Sequence, residues 1–212
     1  LTNILYKTDL KKAQLYGEEA SSLAKQLNDL TGQRNNAYLL GTTYFHQGLY
    51  EKSIQSANEC LELCRQMGIK EQEVDATMLI ANNYYATGKV DSAAVYFQKC
   101  WDRSKAIGYV YGLMDSAKRL GDTFESHGKY DKALEMYRMS LKLSVENKDK
   151  ETQGVVLNAI GIIYDYTGKI DSATVKYFQA LHLAEEIGNL KLEATACNNI
   201  SYLFRLNLNQ DF

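Results

Sequence analysis

The chain repeats itself every 40 residues. Gly48, Gly88, Gly128 and Gly168 each begin a six-residue segment whose fourth residue is acidic and whose sixth is Ser or Ala. Sequence periods of about 20 to 50 residues are typical of solenoids, propellers and other repeat arrays. The constant spacing therefore predicts an architecture in which one supersecondary unit is stacked repeatedly.

The residues around each of these glycines predict two helices per repeat. Before Gly168, the small residue Gly161 is followed three positions later by Tyr164, and after it Ala173 is followed four positions later by Tyr177. Apolar spacings of three and four residues are helical. We name the two helices A and B. The end of helix B carries residues suited to a left-handed cap in all repeats but one: Gly68, Gly108 and Gly188, with Lys148 the exception.

Composition supports long, closely joined helices and excludes several functions. The chain has no proline, whereas about 5% is usual, and proline interrupts helices. The net charge is −2 and there is no basic block, which argues against binding of nucleic acid or of an anionic membrane. No apolar run reaches the roughly 20 residues that a bilayer span needs, so we expect a soluble segment without membrane insertion.

These columns resemble the tetratricopeptide repeat, most clearly in the fourth repeat. The family pattern of a small residue and Tyr in helix A, Gly in the turn, and small and aromatic residues in helix B is matched by Gly161, Tyr164, Gly168, Ala173, Tyr177 and Ala180. The resemblance implies an all-α fold, a right-handed α-solenoid of antiparallel helix pairs. The usual repeat has about 34 residues. The longer period resembles a subclass found in bacterial sensor kinases and transcription regulators.

The register predicts one solenoid domain that is incomplete at both ends. The segment 1–32 is a partial repeat, with the end of a helix A at 1–8 and a helix B at 10–28, and 193–212 holds helix A of a truncated repeat, at 193–206. The complete repeats are 33–72, 73–112, 113–152 and 153–192. We expect further repeats or an effector domain outside this sequence, and self-association through open ends, where Ile200, Leu203 and Phe204 would accept another molecule.

The resemblance also implies that helix A lines a concave face that holds a protein or peptide ligand. The side chains at the corresponding columns, most of them polar or aromatic, are the candidate groove residues: Asn35, Tyr38, Thr42, Phe45, Asp75, Met78, Asn82, Tyr85, Asp115, Lys118, Arg119, Asp122, Glu125, Asn158, Ile162, Asp165, Asn198, Asn199, Tyr202 and Arg205. Among these, Lys118 and Arg119 have two interpretations. They would pair with an acidic partner or, the reading we favour, with Asp115 and Asp122 on their own helix.

The positions of the cysteines indicate packing rather than chemistry. Cys60, Cys64, Cys100 and Cys197 fall in columns of small residues, so we expect all four to pack in the interior, as free Cys commonly does. Metal binding by Cys60 and Cys64 is the alternative, but no His lies near them in sequence. We therefore expect no metal and no cofactor.

The sequence predicts a non-catalytic scaffold that binds a protein or peptide, as the sensory or regulatory region of a larger bacterial signalling or transcription-regulatory protein. The alternative is a structural spacer or oligomerisation element that transmits a conformational change to an attached effector domain. We expect no enzymatic activity, because phosphate-loop, HExxH and GxSxG motifs are all missing from the sequence. The ligand and the compartment, cytoplasmic or periplasmic, are not indicated.

Overall fold

A computed structural model describes residues 9–208 and folds them into ten α-helices. The predicted helix end at 1–8 lies outside the described residues. No strand occurs between residues 9 and 208, so the all-α prediction is confirmed. The helices are α1 Leu10–Gln26, α2 Leu30–His46, α3 Tyr50–Met67, α4 Lys70–Ala86, α5 Val90–Ile107, α6 Val110–Ser126, α7 Tyr130–Glu146, α8 Lys150–Tyr166, α9 Ile170–Ile187 and α10 Leu190–Leu208.

The described residues form two compact units, 9–112 and 113–208. In the first unit, α1 packs against α2, α2 against α3, α3 against α4, and α4 against α5. Helix α2 also contacts α4. In the second unit, α7 to α10 do the same, and α8 contacts α10. Helices α2, α4, α6, α8 and α10 correspond to the predicted helix A, and the others to helix B. Contact between successive A helices is what lets one hairpin bury the apolar face of its neighbour.

A residue in the left-handed backbone conformation, with positive φ, follows each helix whose C-terminal turn the structure describes. Gly48, with φ of 75°, follows α2, and the next amide, that of Leu49, donates to the carbonyl of Tyr44 at 2.8 Å. This is the hydrogen bond of a Schellman cap. Lys148, the predicted exception, also has a positive φ, of 57°, as does Asn28, with 52°. The repeat thus keeps its backbone geometry even where the residue is not glycine.

The start of α10 and the end of α1 differ slightly from the predicted positions, and α10 also extends to residue 208 rather than 206. Helix α10 begins at residue 190 rather than 193, because the Asn189 side chain caps it and accepts a hydrogen bond from the Leu192 amide at 3.1 Å. Helix α1 ends at residue 26 rather than 28, because the left-handed Asn28 terminates it. Local capping, rather than the apolar pattern, sets both ends.

Glycines in helix A allow close contact with an aromatic side chain of helix B. A Cβ atom added to Gly161 would lie 2.6 Å from Tyr177 Cε1, and one added to Gly121 would lie 2.5 Å from the Tyr137 ring. Both tyrosines are buried, with at most 1% of their surface exposed. The predicted crossing of helices at the small column is therefore confirmed for these two repeats.

Lysines accompany the aromatic residue of helix A. The Lys52 ammonium lies 5.6 Å from the Tyr44 ring centre, and the Lys169 ammonium lies 5.8 Å from that of Tyr164. At these distances the positive charge is attracted by the π-face of the ring. Tyr44 and Tyr164, from different units, thus have similar surroundings, as a common repeat requires.

We predict that Gly161→Leu lowers the melting temperature by several degrees. The larger side chain would overlap Tyr177, overpacking costs about 1 to 3 kcal/mol, and about 1 kcal/mol shifts a domain of this size by about 2 to 4 °C. Calorimetry measures the change. The matched control is Val155→Leu on the same helix, where 37% of the side chain is exposed. An unchanged melting temperature for Gly161→Leu would contradict this packing.

We also predict that Lys148→Gly stabilises the protein by about 0.5 to 1 kcal/mol. The left-handed conformation costs an L-residue about 1 to 2 kcal/mol, and the greater freedom of glycine in the unfolded chain offsets about half of the gain. Urea unfolding measures the difference. Lys148→Ala is the control, since it removes the charge but keeps the Cβ atom. An equal gain for Ala would show that the side chain, not the backbone, is responsible.

Candidate functional site

A cleft of about 420 Å³ lies between α2 and α4 in the first unit. It brings together three candidate groove residues, Asn35 and Tyr38 from α2 and Asp75 from α4. Cys60 of α3 contributes to the lining. The cleft is thus walled by the A helices of two successive repeats, where the repeat pattern predicts ligand contacts.

The other candidate residues of the first unit lie outside this cleft. Thr42, Asn82 and Tyr85 are partly exposed, and the Tyr85 ring packs 6.4 Å from that of Phe97. Met78 is only 7% exposed and belongs to the core. Its side chain therefore offers little surface to a ligand.

Arg34 also lines the cleft, although it is not among the groove residues predicted from the sequence. The equivalent positions of the next repeats are Val74 and Met114, which are 1% and 2% exposed, and Arg34 itself is only 8% exposed. Its Nη2 donates to Asn35 Oδ1 at 2.7 Å, and its Nε has no hydrogen-bond acceptor among the described residues. A charged residue in an otherwise apolar column was visible in the sequence and would have identified it.

Asp75 places a negative charge on the α4 side of the cleft. The Tyr109 hydroxyl donates to Asp75 Oδ1 at 3.0 Å. Burial, followed by the charge of Asp75, raises the pKa of Tyr109. Tyr109 therefore remains protonated at neutral pH and keeps the carboxylate in position.

In the second unit, the candidate cations Lys118 and Arg119 are paired on their own helix. Lys118 Nζ lies 3.8 Å from Asp115 and 3.6 Å from Asp122, and Arg119 lies 3.5 Å and 3.7 Å from the same two carboxylates. Intrahelical pairing, the favoured interpretation, is what the structure contains. The two positive charges are already balanced without a partner.

A buried tyrosine hydroxyl lies between two carboxyl groups of α6. Tyr137 Oη is 2.9 Å from Asp122 Oδ1 and 2.6 Å from Glu125 Oε2. A hydroxyl carries one proton, so it can donate to only one of them, and the second contact requires a proton on a carboxyl group. Burial, followed in the same direction by the charge of Asp122, raises the pKa of Glu125. Glu125 is thus the carboxyl group suited to hold that proton.

The remaining candidates lie on α8 and α10. Asn199 Nδ2 donates to Asn158 Oδ1 at 2.9 Å, which links the two helices, and Asn158 is 7% exposed. Ile162 packs partly against the core, and burial raises the pKa of Asp165. The exposed candidates are Asn198, Tyr202 and Arg205.

Two predictions about the last helix need correction. Cys197 is exposed, whereas Cys60, Cys64 and Cys100 are buried as predicted, because no following helix among the described residues covers it. Leu203 is 2% exposed and packs on Tyr177, so it is not available to a second molecule as we expected.

The described residues carry neither a metal-binding cluster nor a membrane span. Between residues 9 and 208, no group of three or more His, Cys, Asp and Glu side chains is placed to hold a metal ion. None of the helices in that range is both long and apolar enough to cross a bilayer.

Two segments of the chain match models of the tetratricopeptide repeat, residues 36–67 and 116–151. The predicted resemblance is therefore confirmed: the chain contains tetratricopeptide repeats, and its helical hairpins are consistent with an array of them. No curated protein matches the chain at a significant level.

Solved structures of low identity share the fold. BtubC from P. vanneervenii is 16% identical, with 95% of this chain and 93% of that chain covered and a TM-score of 0.72. Aspartyl phosphate phosphatase F from Bacillus subtilis is 14% identical, with 97% and 58% covered and a TM-score of 0.80. The Rap conjugation gene regulator of plasmid pLS20, in complex with the Phr* peptide, is 14% identical, with 99% and 61% covered and a TM-score of 0.80. The likeness establishes a helical repeat solenoid.

We predict that Glu125→Gln stabilises the protein more at pH 8 than at pH 4. Because the folded state raises the pKa of Glu125, the stability that its protonation provides is complete below the unfolded pKa and is lost as the pH rises through the folded pKa. Gln stays neutral and retains a hydrogen bond to Tyr137. Thermal unfolding across this pH range measures the effect. The exposed Glu135→Gln on α7 is the control, and an equal pH profile for both variants would contradict the assignment.

Proposed function

We propose that this array of tetratricopeptide repeats is a non-catalytic scaffold that binds a peptide or protein segment. We further propose that it serves as a sensory or regulatory region of a larger bacterial signalling or transcription-regulatory protein. The observation that carries the proposal is the cleft between α2 and α4, where Asn35, Tyr38 and Asp75 meet. Its side chains offer hydrogen-bond donors and acceptors together with an aromatic ring, the combination typical of ligand pockets.

The size of the cleft supports a peptide ligand. About 420 Å³ falls within the range of about 300 to 1,000 Å³ that is usual for small-ligand sites. Tyr38 supplies a large contact area with few rotatable bonds, which favours Tyr at recognition surfaces.

The comparison with the Rap conjugation gene regulator adds fold-level support. That protein was solved with the Phr* peptide bound, and this chain spans 61% of its length. A shared fold does not determine a shared ligand, so the comparison supports the class of ligand and not its sequence. The proposal of regulation in a larger protein rests on the same analogy.

A spacer or oligomerisation element is the second candidate. It is favoured by the exposed aromatic residues of α10, since Tyr202 and Phe204 expose 49% and 51% of their surface. Exposed apolar side chains at the last described helix suit contact with another protein domain or a second copy. In that case the cleft residues would have no part in the function.

We predict that Tyr38→Ala and Asn35→Ala, at two residues that line the cleft, each weaken peptide binding by about tenfold, the loss typical of a central recognition residue. The labelled protein is incubated with an array of short random peptides, and positive peptides are then titrated by fluorescence anisotropy. Gln55→Ala, an exposed position on α3, is the control, and circular dichroism verifies that each variant is helical.

Equal affinities for native and variant proteins would show that the A helices do not hold the ligand. A chain that binds no peptide, and whose mass in sedimentation rises with concentration, would favour the oligomerisation element instead.

A further inference from the structure

We propose that Arg34 is the receptor for a carboxylate of the bound peptide. The guanidinium lines the cleft between α2 and α4 while the residue is only 8% exposed. A buried charge is costly unless an opposite charge or several hydrogen bonds compensate it. The partners of Arg34 therefore decide whether its role is structural or functional.

The protein itself compensates this charge poorly. A guanidinium has five N–H donors, and among the described residues the Arg34 side chain makes one hydrogen bond, to Asn35 Oδ1 at 2.7 Å. Its Nε is buried and has no acceptor among residues 9–208, and no Asp or Glu of that range forms an ion pair with it. A ligand can supply the hydrogen-bond acceptors and the negative charge that these donors lack.

The repeat shows that packing does not require an arginine at this position. Val74 and Met114 occupy the same column in the next two repeats and are buried without a charge. The A helices of those repeats have the same length as α2. An apolar side chain would therefore satisfy the fold at position 34, so the guanidinium has no evident structural task.

The surroundings favour a carboxylate over a more highly charged anion. The planar fork of Arg matches the two oxygens of a carboxylate. Asp75 adds a negative charge to the opposite side of the cleft, which disfavours a phosphate dianion. Burial raises the pKa of the Cys60 thiol to about 12, so Cys60 remains neutral and does not compete for Arg34.

A peptide offers such a group in two ways, as an acidic side chain or as its C-terminus. Both have amide N–H groups nearby, and an N–H directed at the α4 side of the cleft suits the charge of Asp75. This assignment rests on the proposed function, because it specifies the chemistry of the ligand held in the same cleft.

Nuclear magnetic resonance of the Arg34 side chain tests the assignment. Three probes are titrated into the full ¹⁵N-labelled chain: N-acetyl-aspartyl-N′-methylamide, its asparaginyl analogue, and N-acetylglycine. The Nε–Hε signal of Arg34 is identified by its loss in Arg34→Met. We expect saturable shifts with at least one acid, and binding at least about tenfold weaker for the neutral asparaginyl analogue. The acid with the higher affinity identifies the source of the carboxylate, side chain or C-terminus.

Arg34→Met should retain the helical circular dichroism and lose the response of the backbone amides around the cleft to the acids. Arg65→Met, on the exposed side of α3, is the matched control and should leave the affinity unchanged. The comparison of acid with amide is also read from the assigned backbone amides around the cleft in the native protein, so it remains decisive even if Arg34→Met fails to fold.

The assignment would be overturned if neither acid gave a saturable shift of the Arg34 signal, or if the asparaginyl analogue gave a shift equal to that of the acids. If the peptides from the array still bind, the proposed function stands and only the role of Arg34 is wrong. Loss of all peptide binding while the acids bind would instead count against the proposed function.

Discussion

The close approach of helix A to helix B governs the rest of the structure. A glycine at the crossing lets a buried tyrosine of helix B lie directly against the backbone of helix A, as at Gly161 and Tyr177. Each hairpin is then thin enough to pack on the next, and stability accumulates from neighbour to neighbour rather than from one central core. The cleft between α2 and α4 lies between the A helices of two hairpins that pack on each other.

Positions that differ from the residue type shared by the other repeats give a repeat its own properties. Lys148 adopts a left-handed backbone where the other complete repeats have glycine, a conformation that is unfavourable for an L-residue. Arg34 occupies a column that is otherwise apolar and buried, which places a charge where packing needs none. Because the repeat defines what the fold requires at each position, a residue that the fold does not require becomes a candidate for function.

The charged side chains of the two units differ in how many partners compensate them. Around Asp122, two cations and the Tyr137 hydroxyl are arranged within hydrogen-bond or ion-pair distance, so the network is internally balanced. Around Arg34, one amide oxygen is the only acceptor described. Lys118 and Arg119, the basic residues singled out from the sequence, have carboxylate partners on their own helix, whereas no carboxylate among the described residues pairs with Arg34.

The sequence by itself determined the period, the two helices of each repeat, the left-handed turns and the intrahelical pairs of Lys118 and Arg119. These features depend on spacing along one helix or one turn, and local geometry converts spacing into structure directly. Only the tertiary structure decided which side chains meet across helices. Arg34 and Asp75 belong to different repeats, and Tyr137 reaches Asp122 and Glu125 from another helix. Burial and the partners of a charge are properties of the packed hairpins, so no reading of a single helix could supply them.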